Sequence, residues 1–136
     1  MGDTRILDVK TSTRVDMIDI TTLVRSAVRE SNVEEGIVCV FCPHTTAGIT
    51  LQENSDPVVK SDMMNHLAAL VPRDAGFEHS EDNQDAHIKA SLVGGSITLI
   101  VEKGRPVFGP WQALFFCEFD GPRSRKLHVQ IASLHQ

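Results

Sequence analysis

The order of strand and helix patterns along the chain constrains its fold more than any other feature. Two short segments, RILDVKT and RVDMID, predict strands, and one helix, two strands, two helices and three further strands follow them. Strands that do not alternate regularly with helices favour an α+β protein over a parallel doubly wound sheet. We therefore expect an α+β fold, an antiparallel or mixed β-sandwich with flanking helices, in one domain over residues 1–136.

Three helices are predicted from apolar spacing and from residues that begin or end helices. Asp19 is expected to cap the first helix. Asp56, followed by a proline, predicts the start of the second. The third, roughly QDAHIKASLV, should begin after Asp82 or Asn83 and end at the Gly-Gly pair that follows it.

The strand segments carry two further expectations. The continuous apolar run IVCVFC predicts a strand covered on both faces, and its Cys39 and Cys42 should point to opposite faces and not share a metal or a disulfide. The last three strands are SITLIVE, a long one around WQALFFCEF, and SRKLHVQIAS. The turns EKGR and DGPR between them predict an antiparallel meander.

Charge and hydropathy exclude several classes of function. The net charge of −5 opposes nucleic-acid binding, which needs a basic stripe to displace counterions from phosphates. No apolar run approaches the roughly 20 residues of a membrane span, and the first ten residues lack the pattern of a secretory signal. We expect a cytoplasmic protein that contacts neither nucleic acid nor membrane.

His44 follows the predicted IVCVFC strand and precedes the small-residue loop TTAG, which would let a ligand approach closely. A turn histidine bonded to backbone is the alternative. Further on, Asp56 is explained as a helix cap, whereas Asn54 has no such requirement and could orient a ligand or a histidine.

The segment HSEDNQDAH is the densest polar cluster in the chain. A helix beginning near Asn83 would place Asn83 and His87 on one face, with His79 arriving from the preceding loop. Together with His44, these histidines could supply three nitrogen ligands and leave a fourth position open, as in a catalytic zinc site. The spacing is not a standard zinc signature, so solvent-exposed loop and helix histidines are the competing interpretation.

Strand alternation makes Glu118 a candidate functional residue. In QALFFCEF the side chains of Gln112, Leu114, Phe116 and Glu118 share one face, and the other face is also apolar. A carboxylate there is unfavourable unless it is paired, ligating, in a pocket or at an exposed strand end. A pocket role and an exposed strand end both remain open.

Three blocks of sequence carry a resemblance to a known family. CPHTTAGITLQENSDP, AHIKASLVGGSITLIVEKGR and FGPWQALFFCEFDGPRSRK resemble the YjbQ-like family, also called secondary thiamine-phosphate synthase. The resemblance implies an α+β sandwich, a homotrimer and weak thiamine-phosphate synthase activity. It also implies a polar site, and it gives weight to a divalent metal, zinc first, held by three histidines. The implied site residues are His44, Asn54, Asp56, His79, Asn83, His87, Gln112 and Glu118.

One position departs from the family's pattern. Asp82 stands where a glycine is expected, and it would be strained if the backbone there needs a positive φ. The geometry of the His79 loop depends on this residue.

Several functions compatible with these residues remain open. A thiamine-phosphate synthase must stabilise a departing pyrophosphate, and Lys89, Arg105, Arg123 and Arg125 are the cations nearest the three blocks. Imidazole ligands favour zinc over the magnesium usually paired with pyrophosphate, which makes such synthesis a candidate side activity. Metal-assisted hydrolysis or isomerisation of a small, possibly phosphorylated metabolite, with Glu118 or Asp56 as general base, is a second reading. A non-catalytic trimeric binding module is a third.

Overall fold

The computed structural model describes residues 2–79 and 81–135. The strands are β1 (Gly2–Lys10), β2 (Asp16–Asp19), β3 (Glu35–Phe41), β4 (Ala47–Glu53), β5 (Ser96–Glu102), β6 (Arg105–Pro106), β7 (Gln112–Glu118) and β8 (Ser124–Ser133). The helices are α1 (Thr21–Ser31), α2 (Pro57–Leu70) and α3 (Gln84–Val93). The predicted α+β fold is confirmed.

The strands form two antiparallel sheets. One has the order β1-β8-β3-β5-β6, and the other has the order β2-β7-β4. The predicted meander is wrong, because β5 pairs with β3 and β6, whereas β7 and β8 belong to different sheets. The EKGR turn is real, but it joins β5 to the short β6, and the DGPR segment carries the chain from one sheet to the other.

Local residue chemistry sets the helix boundaries. Asp56 accepts a hydrogen bond from the Val58 N–H at 3.0 Å and caps α2, as predicted. The predicted cap of α1 is displaced by one residue: Ile20 occupies the cap position, although the Asp19 carboxylate still accepts from the Thr21 N–H at 2.9 Å. Asn83 begins α3, and Gly94 ends it with a φ of 100°.

β7 lies at the centre of the packing. Leu114 and Phe116 pack in the core between the two sheets, while Phe115 and Cys117 pack on the other side with Ala86 and Ala90 of α3. Both faces of β7 are therefore covered within one chain, as the alternation of apolar residues indicated.

β3 does not behave as its apolar sequence predicts. Val38 and Val40 are fully buried, but Ile37 and Phe41 on the opposite face stay 44% and 46% exposed. The prediction that this strand is covered on both faces is wrong for a single chain. Cys39 and Cys42 do fall on different sides, and both are free thiols.

None of the helices described in the structure is long and apolar enough to cross a bilayer.

Candidate functional site

A buried ion pair joins the two sheets at one end. Glu118 at the end of β7 is 0% exposed, and Arg125 of β8 is 5% exposed. Arg125 Nε donates to Glu118 Oε1 at 2.8 Å, and its Nη2 donates to Oε2. Thr11 Oγ1 also donates to Oε1 at 2.8 Å, and the Asp120 N–H donates to Oε2 at 3.0 Å. Each carboxylate oxygen of Glu118 thus has two donors from its own chain.

These donors decide the protonation of Glu118. Burial acts to raise its pKa, but the hydrogen bonds from Arg125, from the Asp120 N–H and from Thr11 outweigh burial, and the pKa lies below its ordinary value. The interpretation of Glu118 as an exposed strand end is wrong. Its role in chemistry remains a prediction. Partners from its own chain already occupy both oxygens of the carboxylate.

His44 lies in the loop after β3 and contacts the backbone of β8. The Lys126 N–H donates to His44 Nε2 at 2.9 Å. Burial, with Arg125 nearby, lowers the pKa of His44. Nε2 also lies 3.2 Å from the Lys126 carbonyl oxygen, so it accepts from the N–H when the ring proton is on Nδ1 and donates to the carbonyl in the other tautomer. Lys126 occupies Nε2 in either case. This is the contact expected of a turn histidine bonded to backbone.

Asn83 at the start of α3 has one unsatisfied polar atom. Its Nδ2 donates to Asp120 Oδ2 at 2.8 Å, and Arg123 Nη2 donates to the same oxygen at 2.9 Å. Asn83 is 7% exposed, and its Oδ1 finds no donor among residues 2–79 and 81–135. A buried acceptor without a donor is destabilising by about 1–3 kcal/mol, so this oxygen is available to a donor on a ligand.

His79 and His87 do come together. Their rings meet edge to face with centroids 5.3 Å apart. His79 lines a cavity of about 300 Å³ together with Arg73, Asp74, Gly76, Phe77, Asp82 and Gln84. Asp82 has a φ of 57°, so the position does adopt the left-handed conformation that favours glycine, and aspartate is one of the few other residues that tolerate it.

Asn54, Asp56 and Gln112 lie at the far end of the same sheet. In the β4–β7 pairing, Glu53 is opposite Gln112 and Ala47 is opposite Glu118, so the two groups are about 20 Å apart along the strands. Asn54 Nδ2 donates to Asp19 Oδ2 at 2.7 Å, and Gln112 Oε1 accepts from the Gly109 N–H at 2.8 Å. One chain therefore divides the expected site between two ends.

The histidines of one chain match the ligand arrangement of a zinc site only in part. Two imidazoles on one tetrahedral zinc, with Zn–N bonds of about 2.0–2.1 Å, place their ring centroids roughly 5 Å apart, close to the separation of His79 and His87. In the part of the chain that the structure describes, no group of three or more His, Cys, Asp or Glu side chains is arranged to hold a metal ion. One chain does not bring His44 to the other two histidines.

Sequence patterns did not predict two buried charged partners. Asp85 is fully buried, and it accepts from Arg14 Nη2 at 3.1 Å and from Lys89 Nζ at 3.1 Å. Arg125 could have been found by the alternation that found Glu118, because it shares a face of β8 with Leu127 and Val129, which are fully buried.

Fold and site together define a small α+β sandwich protein with a histidine pair beside buried ion pairs. The chain belongs to the UPF0047 family, described as YjbQ-like, whose model matches residues 5–133.

Relatives from distant organisms cover nearly the whole chain. A UPF0047 protein of Methanocaldococcus jannaschii is 52% identical over 90% of this chain and 89% of its own length. The UPF0047 protein YugU of Bacillus subtilis is 44% identical over 93% of this chain and 97% of its own. A crystal structure of an uncharacterised conserved protein of the YjbQ/UPF0047 family from Clostridium acetobutylicum has a TM-score of 0.92 at 49% identity and covers 94% of this chain and 99% of that one. These matches support the family and the fold and name no activity.

Proposed function

We propose that this protein is a homotrimer that binds a divalent metal ion, zinc first, through His79 and His87, and that it accepts a small phosphorylated molecule beside them. The observation that carries the proposal is the separation of 5.3 Å between the two ring centroids, which suits two ligands of one ion. Imidazole nitrogen favours zinc over the harder magnesium. Arg73, on the wall of the adjoining cavity, lies 3.2 Å from Asp82 and would serve a phosphate only by leaving that carboxylate.

The third protein ligand is the open part of this proposal. His44 can serve if its ring leaves the Lys126 N–H, and in a trimer it can come from a neighbouring subunit. Asn83 Oδ1, one helical turn before His87, is a free buried acceptor for a water or a substrate donor. Both features favour a site that is completed on assembly.

We propose thiamine-phosphate synthesis only as a side activity of this protein. Of the four cations suggested for a pyrophosphate clamp, Lys89 is paired with Asp85, Arg123 with Asp120 and Arg125 with Glu118. A cation committed to an internal carboxylate is a weak partner for a departing anion, because the two compete for the same hydrogens. Only Arg105 of that set makes no ion pair within the described residues.

Elemental analysis of the purified full chain tests the metal site. His79→Ala and His87→Ala should each lower zinc occupancy at least tenfold after dialysis, while His66→Ala, an exposed histidine of α2, should leave it unchanged. Equal occupancy in all three variants would overturn the proposal. Incubation of zinc-loaded and chelated protein with a thiazole phosphate and a pyrimidine diphosphate then tests the synthase. Turnover that tracks zinc supports the side activity, and no turnover in either sample removes it.

The outer face of the five-stranded sheet supports the trimer. Ile37 of β3 is directly opposite Ile100 of β5, and the two are 44% and 64% exposed. On the same face, Phe41 contacts the ring of His128, which is opposite Ile6 in the β1–β8 pairing. Exposed apolar side chains on three strands of this face, β1, β3 and β5, are typical of a surface that another protein covers. The expectation of a trimer came chiefly from the family resemblance, and the two apolar faces of β7 add nothing to it, because both are covered within the chain.

Light scattering tests the assembly. The full chain should give about three times its mass of 15.0 kDa. Ile100→Lys should shift it to monomer, and Leu70→Lys, an equally exposed leucine at the end of α2, should not. A concentration-independent monomer in the unmodified protein would remove the claim.

A further inference from the structure

A second cavity lies between the end of α1 and the β5–β6 hairpin. It shares no lining residue with the cavity beside His79. Its volume is about 660 Å³, within the range of small-molecule pockets. Lys103 and Gly104 at the hairpin tip have φ values of 54° and 75°, as a tight type I′ turn requires. The Gly104 N–H donates to the Glu34 carbonyl at 3.0 Å, which holds the hairpin against the segment that leaves α1.

Most of the cations that make no ion pair among the described residues line this cavity. Of its 13 lysines and arginines, eight lie within 4.0 Å of a described carboxylate. Among the described residues, five make no such pair, and four of these line the cavity: Arg25, Arg29, Lys103 and Arg105. The fifth is Lys10 of β1. For a protein of net charge −5, this is a local reversal of sign.

Structural roles explain only part of this cluster. Arg29 lies in the last turn of α1, where a cation interacts favourably with the helix dipole. The Arg25 guanidinium lies over the ring of Phe108 at 5.2 Å from its centroid. Neither reason applies to Lys103 or Arg105, although Arg105 is directly opposite Glu102 in the β5–β6 pairing. Four like charges around one cavity repel one another, and a bound anion would relieve that repulsion.

We propose that this cavity binds a diphosphate group, free or esterified to a small metabolite, at a site separate from the proposed metal centre. The four cations and the single carboxylate of Glu34 leave a local charge of about +3. A monophosphate carries about −1.5 to −2 and leaves part of that charge unmatched, whereas a diphosphate ester carries about −3. Arginine forks bind phosphate oxygens in pairs, and lysine adds a point charge.

Isothermal titration of the full-length protein tests this site with three probes: inorganic phosphate, inorganic pyrophosphate and ADP. Pyrophosphate and ADP should bind at least tenfold more tightly than phosphate, and raising the salt concentration should weaken both. The ratio of ADP to pyrophosphate affinity tells whether the ester or the free anion is preferred. Binding of neither diphosphate at millimolar concentration would overturn the proposal.

Single charge removals locate the site. Arg29→Gln, Lys103→Gln and Arg105→Gln should each weaken pyrophosphate binding about tenfold, the loss expected for one charge-assisted hydrogen bond. Lys10→Gln is the matched control, since it removes an unpaired cation outside the cavity. Glu34→Gln should tighten pyrophosphate binding severalfold, because it removes the one carboxylate that lines the cavity. An equal loss in the Lys10 variant, or none in the other three, would show nonspecific attraction only.

One further variant separates this site from the metal centre. After chelation, protein carrying His87→Ala should bind pyrophosphate as chelated unmodified protein does. Loss of binding in that variant would place the anion at the histidines and overturn the second site. The proposed metal function can fail in its own assay without affecting this result.

Discussion

Removing the charge of Glu118 should destabilise the protein severely. In Glu118→Gln, an amide NH₂ would replace one carboxylate oxygen, and both Oε positions currently accept hydrogen bonds, including two from Arg125. Arg125 would remain 5% exposed without a counter-charge. Breaking a buried pair in this way costs about 3–5 kcal/mol, a large share of the roughly 5–15 kcal/mol that holds a domain folded. The loss of stability would come from the Arg125 guanidinium, which would have no counter-charge, because glutamine keeps the shape of the glutamate side chain.

Urea denaturation of three variants tests this reasoning. Glu118→Gln should lower the free energy of unfolding by about 3–5 kcal/mol. The double change Glu118→Leu with Arg125→Met should cost less than the single change, since it strands no charge. Glu102→Gln, at the exposed end of β5, should leave the midpoint unchanged. A loss below about 1 kcal/mol in Glu118→Gln would refute the stranded-charge argument.

We also predict that the effect of Glu118→Gln on stability depends on pH. The pKa of Glu118 is lower in the folded chain than its ordinary value, so the pair contributes stability above the unfolded pKa of about 4.3. That contribution is lost as the pH falls through the folded pKa. The stability difference between the unmodified protein and Glu118→Gln should therefore be largest near neutral pH and shrink below about pH 4. A difference that stays constant into acid would contradict the lowered pKa.

Three further changes are predicted from other buried or strained positions. Asp85→Asn should lower the free energy of unfolding by about 3–5 kcal/mol in urea melts, because Lys89 is only 4% exposed and would lose its buried partner. Asp82→Gly should raise it by up to about 1 kcal/mol, because the backbone there has a φ of 57°. A thiol reagent at pH 8 should label half-exposed Cys39 well before Cys117 in a mass-spectrometric time course, since burial raises the pKa of the Cys117 thiol to about 12.

Strand alternation proved most reliable where both faces are covered by the chain itself. It placed Leu114 and Phe115 on opposite faces of β7, and both are buried in the structure. The same logic failed for β3, whose sequence is equally apolar but whose Ile37 faces outward. An apolar side chain shows that cover is needed and does not show which chain supplies it. The proposed trimer would account for the outward face of β3.

Turn chemistry predicted where the chain reverses and not which strands meet. Lys103 and Gly104 form the expected turn, yet the strand after them is two residues long and lies at the edge of its sheet. Pairing depends on contacts between residues far apart in sequence, such as Val38 with Leu99 and with Ile131. A local pattern holds no information on these contacts.

In the candidate site, too, local patterns do not predict which side chains of separate elements lie close together. Helix spacing was enough to bring Asn83 and His87 together, because both belong to one element. The distance from His44 to that pair, and from Asn54 to Glu118, depends on how separate elements pack. In one chain the residues named by resemblance occupy two ends of β4 and β7. A ring of three subunits joins different surfaces of neighbouring copies, so in the proposed trimer the Gln112 end of one subunit can meet the Glu118 end of the next. Sequence logic and the resemblance named candidate residues for such a site, and only the assembly can determine which of them share it.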